Sequence, residues 1–405
     1  MAEIKNLKKV AQRILKAIKN RENIILYGDT DLDGTTSVII LKETLKNLNG
    51  QISVIYFPDR EVEGHGISEI GLNSLKAELS FTEARRKKKA KFSSTKFALT
   101  LLIALDFGIG NFKEVKLAKK LGFKVIIIDH HEVLDSLPEA EIIVDPKQNG
   151  DKYPFKELAT AGIAFKLSEL ILKKKMTESL RSSLLELVAL ATIADMMPRE
   201  GENKIMIEEG LLSLESSWRP GIRAFFKEES FKSYQNLNQK TSKIISILNV
   251  RDVENNFPAS FRLLTSHSLE ESKEIISKLL EKSELRKEKI QEITEEIEKG
   301  LSRKQESIIF EGDPDWEFAL ISPVASILCQ RYQKPTFIFK KLEKASQGTV
   351  RVPAGINSVS LMKKCSKHLI TYGGHPPASG FRIKNENLEK FKECLIKHFT
   401  KLIKE

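Results

Sequence analysis

Short, continuously apolar runs alternate with helical stretches through the first part of the chain, and this alternation limits the fold more than any other feature. Residues 24–27, 52–57, 99–105, 125–128 and 142–144 have strand length and no in–out alternation. Such runs suit strands buried on both faces of a parallel sheet. Between them, residues 37–48, 67–79 and 112–121 read as helices, so the pattern predicts a doubly wound α/β layer fold. From about Ala161 to Leu214 helices dominate, with stretches at 161–175 and 179–194.

The segment 269–305 is highly charged, yet Ile275, Ile276, Leu279, Leu280, Leu285, Ile290, Ile293 and Ile297 recur at helical spacing. It holds no proline, and its single glycine is Gly300. The spacing predicts one long helix bridging two domains, with a break near Gly300. The remaining residues mix strands at 336–339, 348–352 and 380–383 with helices at 358–367 and 387–404. The expected division is a larger domain at 1–265, a connecting helix at 266–305 and a small α/β domain at 306–405.

Composition narrows the class. With 405 residues, 41% hydrophobic and 30% charged, the chain has the balance of a globular protein, not of a disordered or fibrous one. No apolar run approaches the roughly 18 residues of a membrane span, and the basic amphipathic N-terminus lacks the apolar core of a signal peptide. Cys329, Cys365 and Cys394 lie far apart, with no Cys-x-x-Cys spacing. That speaks against a disulfide framework or a structural zinc site, and suits a reducing cytoplasm. The net charge of +11 suits a polyanionic partner such as nucleic acid. The run Arg85-Arg86-Lys87-Lys88-Lys89 reads as a solvated loop.

The acids carry the chemistry. The first apolar run leads into Gly28-Asp29-Thr30-Asp31-Leu32-Asp33-Gly34, the run at 99–105 into Asp106, and the run at 125–128 into Asp129-His130-His131. In an open parallel sheet, the carboxyl ends of neighbouring strands meet at one crevice. Asp195, at the end of an apolar helical stretch, is placed to join them. So many carboxylates cannot share a cleft as bare anions; protons or cations must offset them. Mixed carboxylate and imidazole donors suit Mn²⁺, or Mg²⁺ retaining more water. Two such ions about 3.5–4 Å apart clamp both oxygens of an in-line phosphoryl displacement, so the pattern points to phosphoester hydrolysis by activated water. Asp-x-Asp-x-Asp-Gly also opens an EF-hand loop, but the twelfth position there is Glu; here it is Ile40, and an apolar strand precedes the loop. Asp31-Leu32-Asp33-Gly34-Thr35 is similar to the nucleophile motif of haloacid-dehalogenase-like phosphatases, a reading that leaves Asp129-His130-His131 unexplained.

Together these motifs resemble the DHH phosphoesterase superfamily and, within it, RecJ-type single-strand-specific exonucleases. GDTDLDGTTS, ALDFGIGN and IIIDHHE resemble three successive family motifs, and Asp195 in ATIADMMPREGENKIMIEEGL takes the place of the fourth-motif aspartate. FPDREVEGHGIS, IIVDPKQNG and YPFKELATAGIAFKL are similar to RecJ-type segments, and YGGHPPASGF to the Gly-Gly-His motif of a DHH-associated domain. The resemblance implies a catalytic domain at 1–265 and a substrate-holding DHH-associated domain at 306–405. It implies that Asp29, Asp31, Asp33, Asp106, His130, His131 and Asp195 hold two Mn²⁺ or Mg²⁺ ions, with Asp129 a ligand or the orienter of a histidine. Arg60, Arg351, Gly373, Gly374 and His375 are implied as substrate-phosphate contacts; His65 stands where the family usually has Tyr, placed to stack on a terminal base.

Departures from the family pattern lie elsewhere. Leu248-Asn249-Val250-Arg251-Asp252 keeps only the Asn and Arg of an Asn-Ala-Ala-Gly-Arg run, and Ile321-Ser322-Pro323-Val324-Ala325-Ser326 replaces a glycine-containing turn. No stretch reads as the additional OB-fold of typical bacterial relatives. The expected function is a metal-dependent exonuclease on single-stranded DNA in repair or recombination, 5′ to 3′ by resemblance alone. The alternative is a phosphodiesterase or phosphatase for short oligonucleotides, nucleoside bisphosphates or cyclic dinucleotides. A non-catalytic scaffold fits less well, because the metal-holding positions are all kept. The basic charge favours a polymer, since phosphate contacts dominate nucleic-acid affinity. The sequence names no protein partner.

Overall fold

The apolar runs at the head of the chain become adjacent strands of one parallel sheet. The structure is a computed structural model that describes residues 3–89, 99–133, 136–301 and 306–402. Helix α1 (Leu7–Lys19) precedes β1 (Asn23–Gly28), α2 (Leu32–Asn47), β2 (Ile52–Tyr56), α3 (Glu69–Lys89), β3 (Thr100–Leu105), α4 (Phe112–Lys120), β4 (Phe123–Ile128) and β5 (Ile142–Val144). The strand order is β2-β1-β3-β4-β5, all parallel. Side chains alternate across the sheet into two cores. Leu26, Leu101, Ile103, Leu105, Ile126 and Ile128 face one core with residues of α1 and α2; Ile25, Tyr27, Leu102, Ala104, Val125 and Ile127 face the other with residues of α3 and α4. Burial of both faces removes the need for polar alternation, which is why these strands read as unbroken apolar runs.

Local differences from the sequence expectations have physical causes. Helix α2 begins at Leu32, not at 37, because the Asp31 carboxylate caps it by accepting from the Gly34 N–H at 3.0 Å; Asp is a preferred cap. The basic run at 85–89 lies in α3 and not in a loop. Lys and Arg are good helix formers, and neither Gly nor Pro interrupts them.

Helices α5 (Thr160–Leu172), α6 (Glu178–Ala194), α7 (Gly201–Leu214), α8 (Pro220–Lys227) and α9 (Leu237–Leu248) follow, then a hairpin of β6 (Val253–Glu254) and β7 (Phe257–Pro258), and α10 (Ala259–Thr265). The expected helix 161–175 thus ends at Leu172, where Lys173 turns to φ 49°.

The described chain divides into two units, Met1–Leu280 and Glu281–Glu405. Helix α11 (Leu269–Leu301) carries the chain from one to the other as 33 unbroken residues that include Gly300; residues 302–305 of the expected helix lie outside the described residues. Ile275, Ile276 and Leu279 pack in the first unit, and Ile293 and Ile297 in a core of the second.

The second unit holds β8 (Ile309–Asp313), α12 (Phe318–Tyr332), β9 (Thr336–Lys341), β10 (Ala345–Arg351), α13 (Ser358–Lys364), β11 (Leu369–His375), β12 (Ala378–Lys384) and α14 (Leu388–Leu402). Its sheet runs β11-β12-β10-β9-β8, with β8 and β9 parallel and the other pairs antiparallel. Strands β8 and β11 and helix α12 were not anticipated. Cys365 and Cys394, 29 positions apart, are joined by a disulfide, which corrects the reading of the cysteines as unconnected. Packing of α13 against α14 brings them together, and sequence spacing carries no trace of that contact. No described helix is long and apolar enough to cross a membrane.

Candidate metal centre

The sheet's own hydrogen-bond ladder sets the first acids side by side. Each follows its strand by one residue and still donates its N–H to the last residue of the neighbouring strand: Asp29 to Leu105 O (3.2 Å), Asp106 to Ile128 O (3.0 Å), Asp129 to Val144 O (3.0 Å). They lie at the carboxyl ends of adjacent strands, beside the point between β1 and β3 where the strand order reverses, which is where open α/β sheets bind ligands. Asp31 and Asp33 belong to the cap and first turn of α2. Gly34 is required there: a Cβ would lie 2.6–2.7 Å from the backbone O, the Cβ and the N of Asp29. Asp106 adopts φ 70°, a left-handed conformation that costs a non-glycine residue of order 1–3 kcal/mol and is typical of functional sites. Asp195 is the C-cap of α6.

Three sets of donor atoms converge within 4.8 Å: Asp29, Asp31 and Asp106; Asp106, His130 and His131; and Asp33, His130 and Asp195. His130 Nε2 stands 3.4 Å from both Asp106 Oδ1 and Asp195 Oδ2, and 3.8 Å from Asp33 Oδ2. It is buried, and neither of its ring nitrogens has a hydrogen-bond partner among the described residues. Asp29 Oδ2 is likewise buried without a hydrogen-bond partner among the described residues, with His65 Nε2 3.4 Å away. Orphaned buried polar atoms are uncommon and call for an explanation; divalent cations between carboxylate oxygens and a neutral imidazole would provide one.

Asp129 stands apart from these sets. Its Oδ1 accepts from the His130 N–H (2.8 Å), the His131 N–H (3.3 Å) and the His131 ring at Nδ1 (2.7 Å), and its Oδ2 accepts from the Ile109 N–H (3.0 Å). Burial raises its pKa, but the His131 hydrogen bond and charge outweigh this and hold it below the ordinary carboxylate value. In return the Asp129 bond pushes His131 up to about 9. Of the two roles left open for Asp129, these bonds match the orienter of a histidine.

The remaining electrostatics are those of crowded acids. Burial, and then Asp195, pushes Asp33 up to about 7. Burial, and then Asp33, raises Asp106 well above its ordinary value. Burial, and then Asp31, brings Asp195 to about 6. Burial, and then His131, lowers His130 to about 4, which leaves it neutral and able to bind a metal. Arg60 offsets part of the charge: its Nε lies 2.9 Å from Asp29 Oδ1, and its Nη2 2.6 Å from Asp29 Oδ1 and 3.0 Å from Asp31 Oδ2. A cavity of about 890 Å³ opens here, lined by Asp31, Asp33, Arg60, Asp195 and Arg251 among others.

Sequence reasoning missed Thr160 and Ala161. Their N–H groups donate to Asp33 Oδ2 (2.7 Å) and Oδ1 (2.8 Å), and the Thr160 hydroxyl donates to Asp106 Oδ1 (2.9 Å). The only sequence signal was their place in YPFKELATAGIAFKL.

Of the expected phosphate contacts, Arg60 adjoins the acids, whereas Arg351, Gly373 and Gly374 line a separate cavity of about 730 Å³ in the second unit. Arg351 donates to Ser322 Oγ (2.6 Å), Ser326 Oγ (3.1 Å) and Thr349 Oγ1 (2.9 Å). Ser322 and Ser326 sit one turn apart on α12, so the segment taken for a replaced turn is a helix that aims the guanidinium. Gly374, at φ 131°, has no room for a Cβ beside Ser379 Cα. His375 ends β11, and its side chain lies outside the described residues.

The structure thus sets an acid cluster at a doubly wound switch point, closed by an Asp-His-His turn, and the chain carries the two domains of DHH-family proteins. Residues 23–192 match the DHH family N-terminal domain and residues 305–404 the DHHA1 domain. The chain is 32% identical over 400 residues to the single-stranded-DNA-specific exonuclease RecJ of Bacillus subtilis, covering 97% of this chain and 48% of that protein. RecJ of Thermus thermophilus is 24% identical, over 96% of this chain and 54% of its own. The chain thus spans about half the length of these relatives. Among solved structures, exonuclease RecJ bound to manganese superposes with a TM-score of 0.77 at 23% identity, over 98% of this chain and 94% of that one. RecJ of Thermus thermophilus in complex with Mn²⁺ gives 0.77 at 21%, over 98% and 55%. At these identities the likeness is one of fold.

Proposed function

We propose that this chain is a metal-dependent phosphodiesterase that acts as an exonuclease on single-stranded DNA, 5′ to 3′. The carrying observation is the set of convergent donor groups that share Asp106 and His130. One cation would lie among Asp33, His130, Asp195 and Asp106, and a second on the side of Asp29 and Asp31, with Asp106 common to both and His131 adjoining. When bound, such a pair supplies Lewis-acid charge and lowers the pKa of the attacking water. The protein's own groups do the rest. Thr160 and Ala161 hold Asp33, Asp129 orients His131, and Arg60 stands at the mouth of the cluster to meet a phosphate. Arg351, with Gly373, Gly374 and His375, would hold a further phosphate in the second unit, and His65 would meet the terminal nucleotide. The DNA substrate is supported by the B. subtilis relative and the basic charge, and a cytoplasmic location goes with that reading.

End-labelled single-stranded DNA, RNA and dinucleotides, each with Mn²⁺, Mg²⁺ or a chelator, test this reading. Mononucleotides should leave the 5′ end of DNA only when a divalent cation is present. Cleavage of dinucleotides alone, or release from the 3′ end alone, would overturn it.

Protons and cations compete for the same oxygens, which gives a pH signature. Asp33 and Asp195 are raised to about 7 and about 6 in the folded protein. A carboxylate raised on folding makes the protein less stable as pH climbs from its unfolded to its folded value, here roughly pH 4 to 7. Cations that replace those protons offset this loss. Mn²⁺ should therefore raise the unfolding temperature little at about pH 5 and progressively more toward about pH 8. Thermal scans at fixed Mn²⁺ check it; an increment independent of pH would mean that other groups hold the metal.

A further inference from the structure

Two acids, Asp33 from the first turn of α2 and Asp106 from the end of β3, meet one helix start at Thr160. Ala159, in the N-cap position of α5, offers no side-chain cap. Asp33 caps the helix instead, taking the Thr160 and Ala161 N–H groups on its two oxygens, where the helix dipole also favours a negative charge. Asp33 is thus held by backbone. Asp106 is held differently, by the Thr160 hydroxyl at 2.9 Å on Oδ1. That oxygen also lies 3.4 Å from His130 Nε2, and Asp106 contributes to the convergent set with Asp29 and Asp31 as well. A carboxylate shared by two sets must keep one rotation about its Cβ–Cγ bond, a broad and soft torsion. A hydroxyl on Oδ1 restrains that rotation.

We propose that Thr160 is a positioning residue that holds Asp106 across both cation sites, so that the sites load as a coupled pair. The inference rests on the two-cation reading above. Thr160 touches no cation and no substrate; it acts through Asp106. Outer partners of metal ligands are typically worth 10–100-fold in metal affinity.

The test compares the whole protein with Thr160→Val and Thr160→Ser by Mn²⁺ titration, following free and bound ion by electron paramagnetic resonance. Valine keeps the shape and the backbone N–H that caps Asp33, and removes only the hydroxyl. The unaltered protein should take up two Mn²⁺ ions whose signal is that of a spin-coupled pair. Thr160→Val should bind one ion nearly as before and the other about 10–100-fold more weakly, with the coupled signal replaced by that of isolated ions. Thr160→Ser, which restores the donor, should restore the coupled signal. A Thr160→Val protein that loads both ions as a coupled pair at unchanged affinity overturns the role of Thr160 and leaves the two-cation reading standing. An unaltered protein that shows no paired binding overturns that reading, and this inference with it.

Discussion

On the proposed exonuclease function, asparagine in place of Asp106 is expected to lower the rate of DNA hydrolysis by about 10³-fold, the scale on which a single preorganised electrostatic contact acts. The substitution is nearly isosteric, and the amide oxygen can still accept from Thr160. What it removes is the negative charge common to two convergent donor sets. The sign of the stability change separates this loss from unfolding. Burial and then the neighbouring Asp33 make the Asp106 charge unfavourable in the absence of cations, so the metal-free asparagine protein should melt no lower than the unaltered one. Steady-state hydrolysis together with metal-free thermal scans gives both numbers. Turnover within tenfold of the unaltered protein would remove Asp106 from the chemistry.

Alanine in place of Arg219 is expected to have the largest effect on folding. Its buried guanidinium makes a two-pronged contact with Glu43, at 2.7 and 2.8 Å, and Nη1 also reaches the Leu264 carbonyl at 3.4 Å. Removing one member of such a pair leaves the other charge desolvated and costs about 3–5 kcal/mol, against a total of about 5–15 kcal/mol for a typical protein. Glu43 lies on α2, whose first turn carries Asp33, so loosening this anchor also loosens the site. Urea denaturation of Arg219→Ala, and of Arg219→Ala combined with Glu43→Gln, measures the effect. The double variant should recover part of the loss, because the stranded charge is gone. A single-variant cost below about 1 kcal/mol would class the pair with solvated surface bridges.

The acids were legible because each follows directly on an apolar run. A run of that kind has one place to go, the interior of a sheet, and a parallel sheet delivers its carboxyl ends to one side. That logic brought Asp29, Asp31, Asp33, Asp106, His130 and His131 to one edge of the sheet; Asp195, at a helix end, was added as able to join them, and the family resemblance implied all seven as the metal-holding set, which the donor sets contain. It could not reach Thr160. The hydroxyl matters only because α5 starts against the first turn of α2, more than a hundred residues away in sequence. Ser322 and Ser326 were missed for a similar reason, since their role depends on α12 facing Arg351 on β10. The edge strand β11, with its glycines, has no apolar run to announce it.

What the amino-acid order settled alone was the set of short-range preferences: which runs must leave water, which residue ends each, and hence a layered α/β fold with acids at one edge. Those outcomes need only hydrophobic periodicity and the geometry of a single strand. The tertiary structure alone decided which oxygen each donor meets, that both oxygens of Asp129 accept hydrogen bonds while the His130 ring finds no hydrogen-bond partner among the described residues, and that Cys365 meets Cys394. Such contacts turn on ångström-scale placement of elements distant in the chain, and no local pattern of residues encodes a distance.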